Sequence, residues 1–146
     1  MSALLTTSVG SFPKPDYLLK ARAKASKGDL SAVQLHELEK KATLDWIAFQ
    51  EDIGIDIPVD GEQYRGDMAT YFAENLGGCE VSGLVRSYVN RYYKKPLVVG
   101  ELERPGPITV AWWTWAQGLT ERPLKGMLTG PYTMMDWSFN EHYPSR

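Results

Sequence analysis

Short apolar segments that end at glycine or proline alternate with helical segments along this chain of 146 residues. Apolar and β-branched runs with such ends are typical of strands, whereas apolar residues three and four positions apart are typical of helices. The alternation favours parallel β/α units over a β-sandwich or a helical bundle. The strands are predicted at residues 3–9, 55–62, 96–100 and 124–131.

The clearest helix is predicted over residues 32–52. Ser31 and Gln34 have the spacing of a capping box, in which the two residues satisfy each other's backbone donors at a helix start. Apolar residues then recur at helical spacing as far as Gly54, a residue type that commonly ends helices. Further helices are predicted at residues 67–76, 109–119 and 132–139, and the polar segment 80–93 leaves room for an extra hairpin.

Four β/α units make half of a (β/α)8 barrel, which typically needs about 250 residues. We therefore predict an α/β fold of the TIM-barrel family, in which residues 1–146 form about the first four units and thus half of the barrel. A small open α/β sheet is the alternative. A half-barrel leaves sheet edges unpaired and one apolar face uncovered, which predicts association with another chain or segment.

The composition argues against several classes of partner. Hydrophobic residues make up 43% of the chain and charged residues 23%, as in ordinary globular proteins. A net charge of −2 with scattered Lys and Arg predicts no nucleic-acid partner. The chain has neither a long apolar run nor the pattern of a signal peptide, which predicts no membrane span. The single cysteine, Cys79, fits a reducing compartment, so a cytoplasmic location is predicted.

Glycine and polar residues follow the predicted strands, at the end where β/α barrels carry their functional groups. The four strand ends are residues 9–13, 60–67, 100–104 and 129–131. Glycine there lets a ligand approach the backbone, and a carboxylate such as Glu62 holds an ammonium group through a charge-assisted hydrogen bond. The alternative is a solvated loop in which Glu62 pairs with Arg65 or another local base.

Three segments resemble successive motifs of the C-terminal domain of cobalamin-independent methionine synthases. They are TTSVGSFP at residues 6–13, DGEQYRGDM at 60–68 followed by Tyr71 and Phe72, and KGMLTGP at 125–131 followed by DWSF at 136–139. Their order and spacing agree with that family over nearly the whole chain. Several such blocks in sequence are far more specific than any single glycine motif.

The resemblance implies a zinc-dependent barrel that methylates the thiol of homocysteine to form methionine. Carried over position by position, Val9, Gly10 and Ser11 would contact homocysteine. Glu62 would bind its amino group. The implied partners of the chain are therefore homocysteine and a methyl donor.

The methyl donor implied by the resemblance is methyltetrahydrofolate, or a methylcorrinoid in shorter relatives. Arg91 and Tyr92 would lie beside the folate, and Trp137 would stack on the pterin. A flat indole near the mouth of a barrel offers a stacking face, although tryptophan on a helix is more often a core residue. The resemblance is least close over residues 86–95, where the family commonly has a small residue or Cys in place of Tyr92, so the donor stays open.

Zinc would bind and activate the homocysteine thiol in this family, through a His-x-Cys pair, a Glu and a further Cys on later strands. This chain contains no His-x-Cys, and neither His36 nor His142 is spaced with Cys79 in a ligand pattern. We therefore assign no metal ligand and no catalytic residue within the chain. The zinc ligands are expected outside it, on a C-terminal half-barrel segment.

Three functions follow from these observations. In the first, the chain supplies the substrate-binding part of a homocysteine methyltransferase that is inactive without its C-terminal half. In the second, it is a non-catalytic module that binds an amino acid or a pterin. In the third, two copies associate to close one barrel and still lack the zinc ligands.

Overall fold

The computed structural model of this chain describes residues 4–86 and 89–145. The helices in these ranges are α1 (Asp16–Ala25), α2 (Ala32–Asp52), α3 (Thr70–Ala73), α4 (Val110–Gln117) and α5 (Pro131–Trp137). The strands are β1 (Gly77–Arg86), β2 (Tyr92–Glu103) and β3 (Phe139–Asn140). None of the helices in the described ranges has the length and apolar character needed to cross a bilayer.

The chain divides into two compact units. The first unit consists of Met1–Tyr64 and Thr109–Met127, and the second of Arg65–Ile108 and Leu128–Arg146. Each unit therefore combines segments that are distant in sequence.

Helix α2 of the first unit begins and ends at the predicted residues. The backbone N–H of Gln34 donates to Ser31 Oγ at 3.2 Å, and the N–H of Ser31 donates to Gln34 Oε1 at 3.1 Å. This is the predicted capping box. At the other end, Gly54 has a φ of +83°, the left-handed conformation that glycine adopts without steric cost. Local sequence signals thus determine both ends of this helix.

Helix α1 was not predicted, although its start carries ordinary signals. Pro15 directly precedes the helix and Asp16 lies in its first turn, where a negative charge interacts favourably with the helix dipole. Leu18 and Ala21 are buried. The helix packs against α2, so that its apolar face is covered within the first unit.

Three of the predicted strands lie side by side in the first unit and run parallel, as predicted. Thr7 forms a parallel bridge with Ile57, and Val59 forms one with Lys125. The N–H of Ile57 donates to Thr6 O at 3.0 Å. These contacts are isolated bridges and not long ladders. They confirm the neighbour relation of the first and second predicted strands, and they place the fourth strand directly beside the second.

The core of the first unit joins α2, α4 and the segment before Lys125. Its buried members are Ile47, Trp112, Ala116 and Leu124, with Tyr64, Trp115 and Leu119 packed against them. Helices α2 and α4 therefore pack together with Leu124 by burying large apolar side chains, the main favourable contribution to folding.

An antiparallel hairpin of β1 and β2 dominates the second unit. Cys79 pairs with Val98 near the base of the hairpin, and Arg86 pairs with Tyr92 near its tip. Strand β3 follows α5 and pairs with β2 in parallel. The hairpin that the polar segment left room for is thus confirmed, and it is longer than predicted.

Gly78 is required by the close approach of the two hairpin strands. Its φ is +74°, and a Cβ built on it would lie 2.1 Å from Glu101 O. A side chain at this position would therefore overlap the backbone of β2. The helix predicted over residues 67–76 is only the four-residue α3, and Gly77 and Gly78 are the first residues of β1.

The third predicted strand is extended but has the wrong partners. Residues 96–100 lie within β2, whose neighbours are β1, antiparallel, and β3. They are not a parallel strand between the second and fourth segments, because Val59 pairs directly with Lys125. A short apolar run that ends at glycine indicates an extended segment but does not specify which segment it pairs with. The prediction of four successive parallel units is therefore wrong in its third member.

Candidate functional site

The loop after the first parallel segment presents its backbone to the surface of the first unit. Val9 is 78% exposed, Ser11 is exposed, and Gly10 between them has a φ of +87°. The far end of the loop is anchored on α2, because Trp46 Nε1 donates to Pro13 O at 3.1 Å. The three predicted acceptor-binding residues thus lie on one accessible loop.

The turn after the second parallel segment carries Glu62. Asp60 is buried, and its Oδ1 accepts the backbone N–H of Glu62 at 2.9 Å. Gly61 and Glu62 both adopt positive φ, of +67° and +54°. A Cβ at Gly61 would lie 3.1 Å from Phe12 Cδ2. Glycine at this position therefore satisfies both the backbone conformation and the contact with the neighbouring loop.

Direct hydrogen bonds join this turn to the first loop. The N–H of Phe12 donates to Gly61 O at 3.0 Å. Gln63 is fully buried, and its Nε2 donates to Phe12 O at 3.1 Å and to Gly61 O at 2.9 Å. The structure thus brings together the predicted acceptor-binding residues Gly10–Ser11 and Glu62, which are about fifty positions apart in sequence.

Two basic side chains donate to the carbonyl groups of the same turn. Arg22 donates to Gln63 O and to Glu39 Oε1, each at 2.8 Å, and Lys14 Nζ donates to Glu62 O at 3.4 Å. Burial raises the pKa of Glu39, and the neighbouring Arg22 partly opposes this shift. Burial, followed by repulsion from Arg22, lowers the pKa of Lys14. Hydrogen bonds from partly buried charged side chains therefore stabilise the turn.

The residues that support the turn carry no recognisable signal in the sequence. Lys14, Arg22 and Glu39 lie on three different segments and have no motif spacing. Gln63 is adjacent to Glu62, yet nothing in its sequence context indicates that its side chain is buried. Only the folded arrangement of the loop, the turn and the two helices shows that these residues share one network.

The predicted donor residues lie in the second unit. Arg91 immediately precedes β2, and Tyr92 is its first residue and is 55% exposed. At the opposite side of the hairpin tip, Arg86 Nε donates to Val89 O at 2.9 Å. Arg91 and Tyr92 are therefore presented at the exposed tip of the hairpin.

Trp137, the last residue of α5, contacts β2 through residues that were not predicted. Lys95 Nζ lies 4.5 Å from the centroid of a Trp137 ring and 5.0 Å from that of Phe139. The Tyr93 ring meets Trp137 edge to face at 6.0 Å. Because side chains alternate along a strand, Tyr93 and Lys95 share the face of β2 opposite to Tyr92. The indole is half-buried beside a cation.

The described residues do not fit a zinc site. Across residues 4–86 and 89–145, no three His, Cys, Asp or Glu side chains come together as metal ligands would. Burial raises the pKa of the Cys79 thiol, which disfavours the thiolate that zinc binds. The ring of His36 packs against Trp112 at 5.1 Å.

Sequence comparison relates the chain to one family of synthases. The family model described as "Cobalamin-independent synthase, Catalytic domain" matches residues 4–146. Proteins named 5-methyltetrahydropteroyltriglutamate–homocysteine methyltransferase are similar to it. The one from Acidithiobacillus ferrooxidans is 47% identical over 141 residues, and the one from Cytophaga hutchinsonii is 48% identical over 136 residues. The matches cover 95% and 92% of this chain but only 18% of each relative.

Structural comparison gives the same result. A B12-independent methionine synthase from Shewanella sp. W3-18-1, in complex with selenomethionine, has a TM-score of 0.81 and 34% identity. The match covers 98% of this chain and 43% of that one. A putative vitamin-B12-independent methionine synthase from Listeria monocytogenes has a TM-score of 0.76, 20% identity and coverage of 97% and 42%. The second similarity supports the fold alone.

Proposed function

Because this chain belongs to the family of cobalamin-independent synthase catalytic domains, we propose that it supplies substrate-binding residues of a homocysteine methyltransferase. The similar proteins from Acidithiobacillus ferrooxidans and Cytophaga hutchinsonii are named for methyl transfer to homocysteine. This chain spans about 18% of their length. Because the match covers so small a part of these proteins, their activity, substrates and partners are only proposed for this chain, and its own residues must support the proposal.

The observation that carries the proposal is the hydrogen-bonded contact between the Gly10–Ser11 loop and the Glu62 turn. An α-amino acid needs an anionic group for its ammonium and polar donors for its carboxylate. Glu62 supplies the first through a charge-assisted bond, and the Ser11 hydroxyl and loop backbone supply the second. Val9 borders this site as an exposed apolar side chain. Selenomethionine in the Shewanella structure supports an amino acid with a methylated side chain as the product.

These residues act by orienting the acceptor. A thiol of ordinary pKa, about 8.5, is mostly protonated at neutral pH, and the thiolate is the nucleophile. In transfer from a methylated folate, sulfur forms a bond to the methyl carbon while the bond from that carbon to the folate nitrogen, the donor nitrogen, breaks. The thiol loses its proton, and the donor nitrogen gains one. Fixing the amino and carboxyl groups of homocysteine limits the directions in which its sulfur points, which lowers the entropic barrier to the transfer.

We propose methyltetrahydrofolate as the donor. The family description is cobalamin-independent and the similar proteins carry the pteroyltriglutamate name, both of which argue against the methylcorrinoid alternative. In this proposal Arg91 and Tyr92 contact the folate, and Trp137 stacks on the pterin. Lys95 covers part of Trp137, so a stacked pterin takes the opposite face of the indole or replaces the lysine.

We also propose that the parallel segments are strands of an eight-stranded β/α barrel completed by residues outside this chain. Leu4 is 95% exposed, Leu5 68% and Val9 78% along the first segment, and an apolar segment of this kind is normally covered. A C-terminal barrel segment that covers it would also bring the zinc ligands, which the described residues lack. The cytoplasmic location stays a prediction.

The acceptor site is tested by isothermal titration of the chain with L-homocysteine. Glu62→Gln is expected to weaken binding about 10- to 100-fold, because a hydrogen bond to a charged group contributes about 1.5–3 kcal/mol. Glu37→Gln is the matched control, since Glu37 is an exposed residue of α2 that pairs with Lys40. Equal affinities of wild type and Glu62→Gln would contradict the proposed role of Glu62.

The completing segment is tested by native mass spectrometry with metal analysis of the purified protein. We expect a second polypeptide and about one zinc ion per pair of polypeptides. This is the stoichiometry of a catalytic zinc site with one open position. A zinc-free monomer that binds no added C-terminal segment would contradict the methyltransferase proposal and leave a binding module.

A further inference from the structure

Glu62 is held in a backbone conformation that residues with side chains adopt only at a cost. Its φ is +54°, in the left-handed region that sterically favours glycine. Such a conformation persists where the surrounding structure fixes it, and it is most common at sites that bind or react. Neighbouring groups must therefore hold the backbone of Glu62 in this conformation.

Hydrogen bonds fix the backbone on both sides of Glu62. Its N–H donates to the buried Asp60 at 2.9 Å, and its carbonyl oxygen accepts Lys14 Nζ at 3.4 Å. The next carbonyl oxygen, that of Gln63, accepts Arg22 at 2.8 Å. Bonds to charged partners are stronger than those between neutral groups, so the turn is constrained at three backbone groups of Glu62 and Gln63.

Gln63 extends this constraint to the neighbouring loop. Its two amide hydrogens are both used, one for Phe12 O at 3.1 Å and one for Gly61 O at 2.9 Å. The side chain is fully buried, so water does not compete for these bonds. One residue thus joins the carbonyl that precedes Glu62 to the residue that follows Ser11.

We propose that Gln63 is a positioning residue for recognition of the acceptor's amino group, an inference that rests on the proposed function. Gln63 does not touch the substrate. It holds the Glu62 turn against the Gly10–Ser11 loop, so that the carboxylate and the loop donors are spaced for an α-amino acid. Loss of these bonds releases Glu62 from its left-handed conformation and weakens its contact with an ammonium group.

The test compares two thiols that differ only in the amine. The full chain is titrated calorimetrically with L-homocysteine and with 4-mercaptobutanoate, and the ratio of the two affinities measures amino-group recognition. A charge-assisted bond predicts a wild-type ratio of about 30. Glu62→Gln is expected to abolish the preference. Gln63→Leu, which keeps the size but removes both donors, is expected to lower it about tenfold and leave 4-mercaptobutanoate binding within about twofold.

Gln117→Leu is the matched control, because Gln117 Nε2 also donates to two backbone carbonyls, those of Thr120 at 3.3 Å and Arg122 at 2.9 Å. It is expected to keep the wild-type ratio. Should Gln63→Leu fail to fold, Gln63→Met, which keeps the length of the side chain but also removes both donors, is measured in its place and is expected to lower the ratio about tenfold.

The outcomes separate this inference from the proposed function. A wild-type ratio near one, or no binding of either thiol, overturns both. If Glu62→Gln loses the preference while folded Gln63→Leu, or Gln63→Met in its place, retains it in full, the proposed function stands and the positioning role is wrong. An equal loss of both thiols in Gln63→Leu would show a purely structural role.

Discussion

Gly61 contributes both to the stability of the first unit and to the geometry of the proposed acceptor site. Gly61→Ala is therefore expected to carry two costs, one from the backbone conformation and one from contacts of the added Cβ. The left-handed φ of +67° makes alanine unfavourable by about 1–2 kcal/mol. A Cβ there would also lie 3.1 Å from Phe12 Cδ2 and 3.4 Å from Gln63 Nε2. Pushing these side chains aside adds about 1–2 kcal/mol, so the expected total is about 2–4 kcal/mol.

Gly54→Ala supplies the reference for this prediction. Gly54 has a similar φ of +83° but no atom within 4 Å of a built Cβ, so its substitution is expected to cost only the conformational part, about 1–2 kcal/mol. Both variants are measured by urea unfolding followed through tryptophan fluorescence, and homocysteine affinity by calorimetry. Gly61→Ala should lose both stability and affinity, and Gly54→Ala stability alone. Equal destabilisation and equal affinity in the two variants would refute the reasoning.

Two further predictions concern the second unit. Gly78→Ala is expected to disrupt the hairpin, seen as lost strand signal in circular dichroism, because its Cβ would meet Glu101 O at 2.1 Å; Gly83→Ala, with open space around it, should be tolerated. Burial raises the pKa of Cys79, so a smaller fraction of this thiol than of free cysteine is thiolate at a given pH. Alkylation of Cys79 by iodoacetamide should therefore be slower than that of free cysteine, and its rate should continue to rise at a pH where the rate for free cysteine has levelled off. A Cys79 alkylation profile equal to that of free cysteine would contradict the burial.

The best sequence predictions rest on short-range signals. Helix α2 is determined by Ser31, Gln34 and Gly54, which act within one or two turns of the chain. The parallel segments were found in the same way, from apolar runs that stop at glycine. These signals concern the conformation of neighbouring residues, which the sequence carries directly.

The sequence predictions that failed concern which segments and side chains contact each other in the fold. Residues 96–100 are as strand-like as the other segments, but their hydrogen bonds go to β1 and β3. The apolar face of α1 was overlooked because Leu18 and Ala21 show their burial only when α2 lies beside them. Tyr93 and Lys95, for which no role was predicted, contact Trp137, because the elements packed against a strand decide which of its two alternating sets of side chains is covered.

The sequence alone was enough to predict the main helix, the three parallel segments and the family of the chain, because motifs such as DGEQYRGDM keep their residues in contiguous blocks. The support of the proposed acceptor site is visible only in the folded chain. Arg22, Glu39 and Gln63 meet because two helices and a turn converge. A buried hydrogen bond depends on distance in space and on exclusion of water, and neither quantity is encoded in the spacing of residues along the chain.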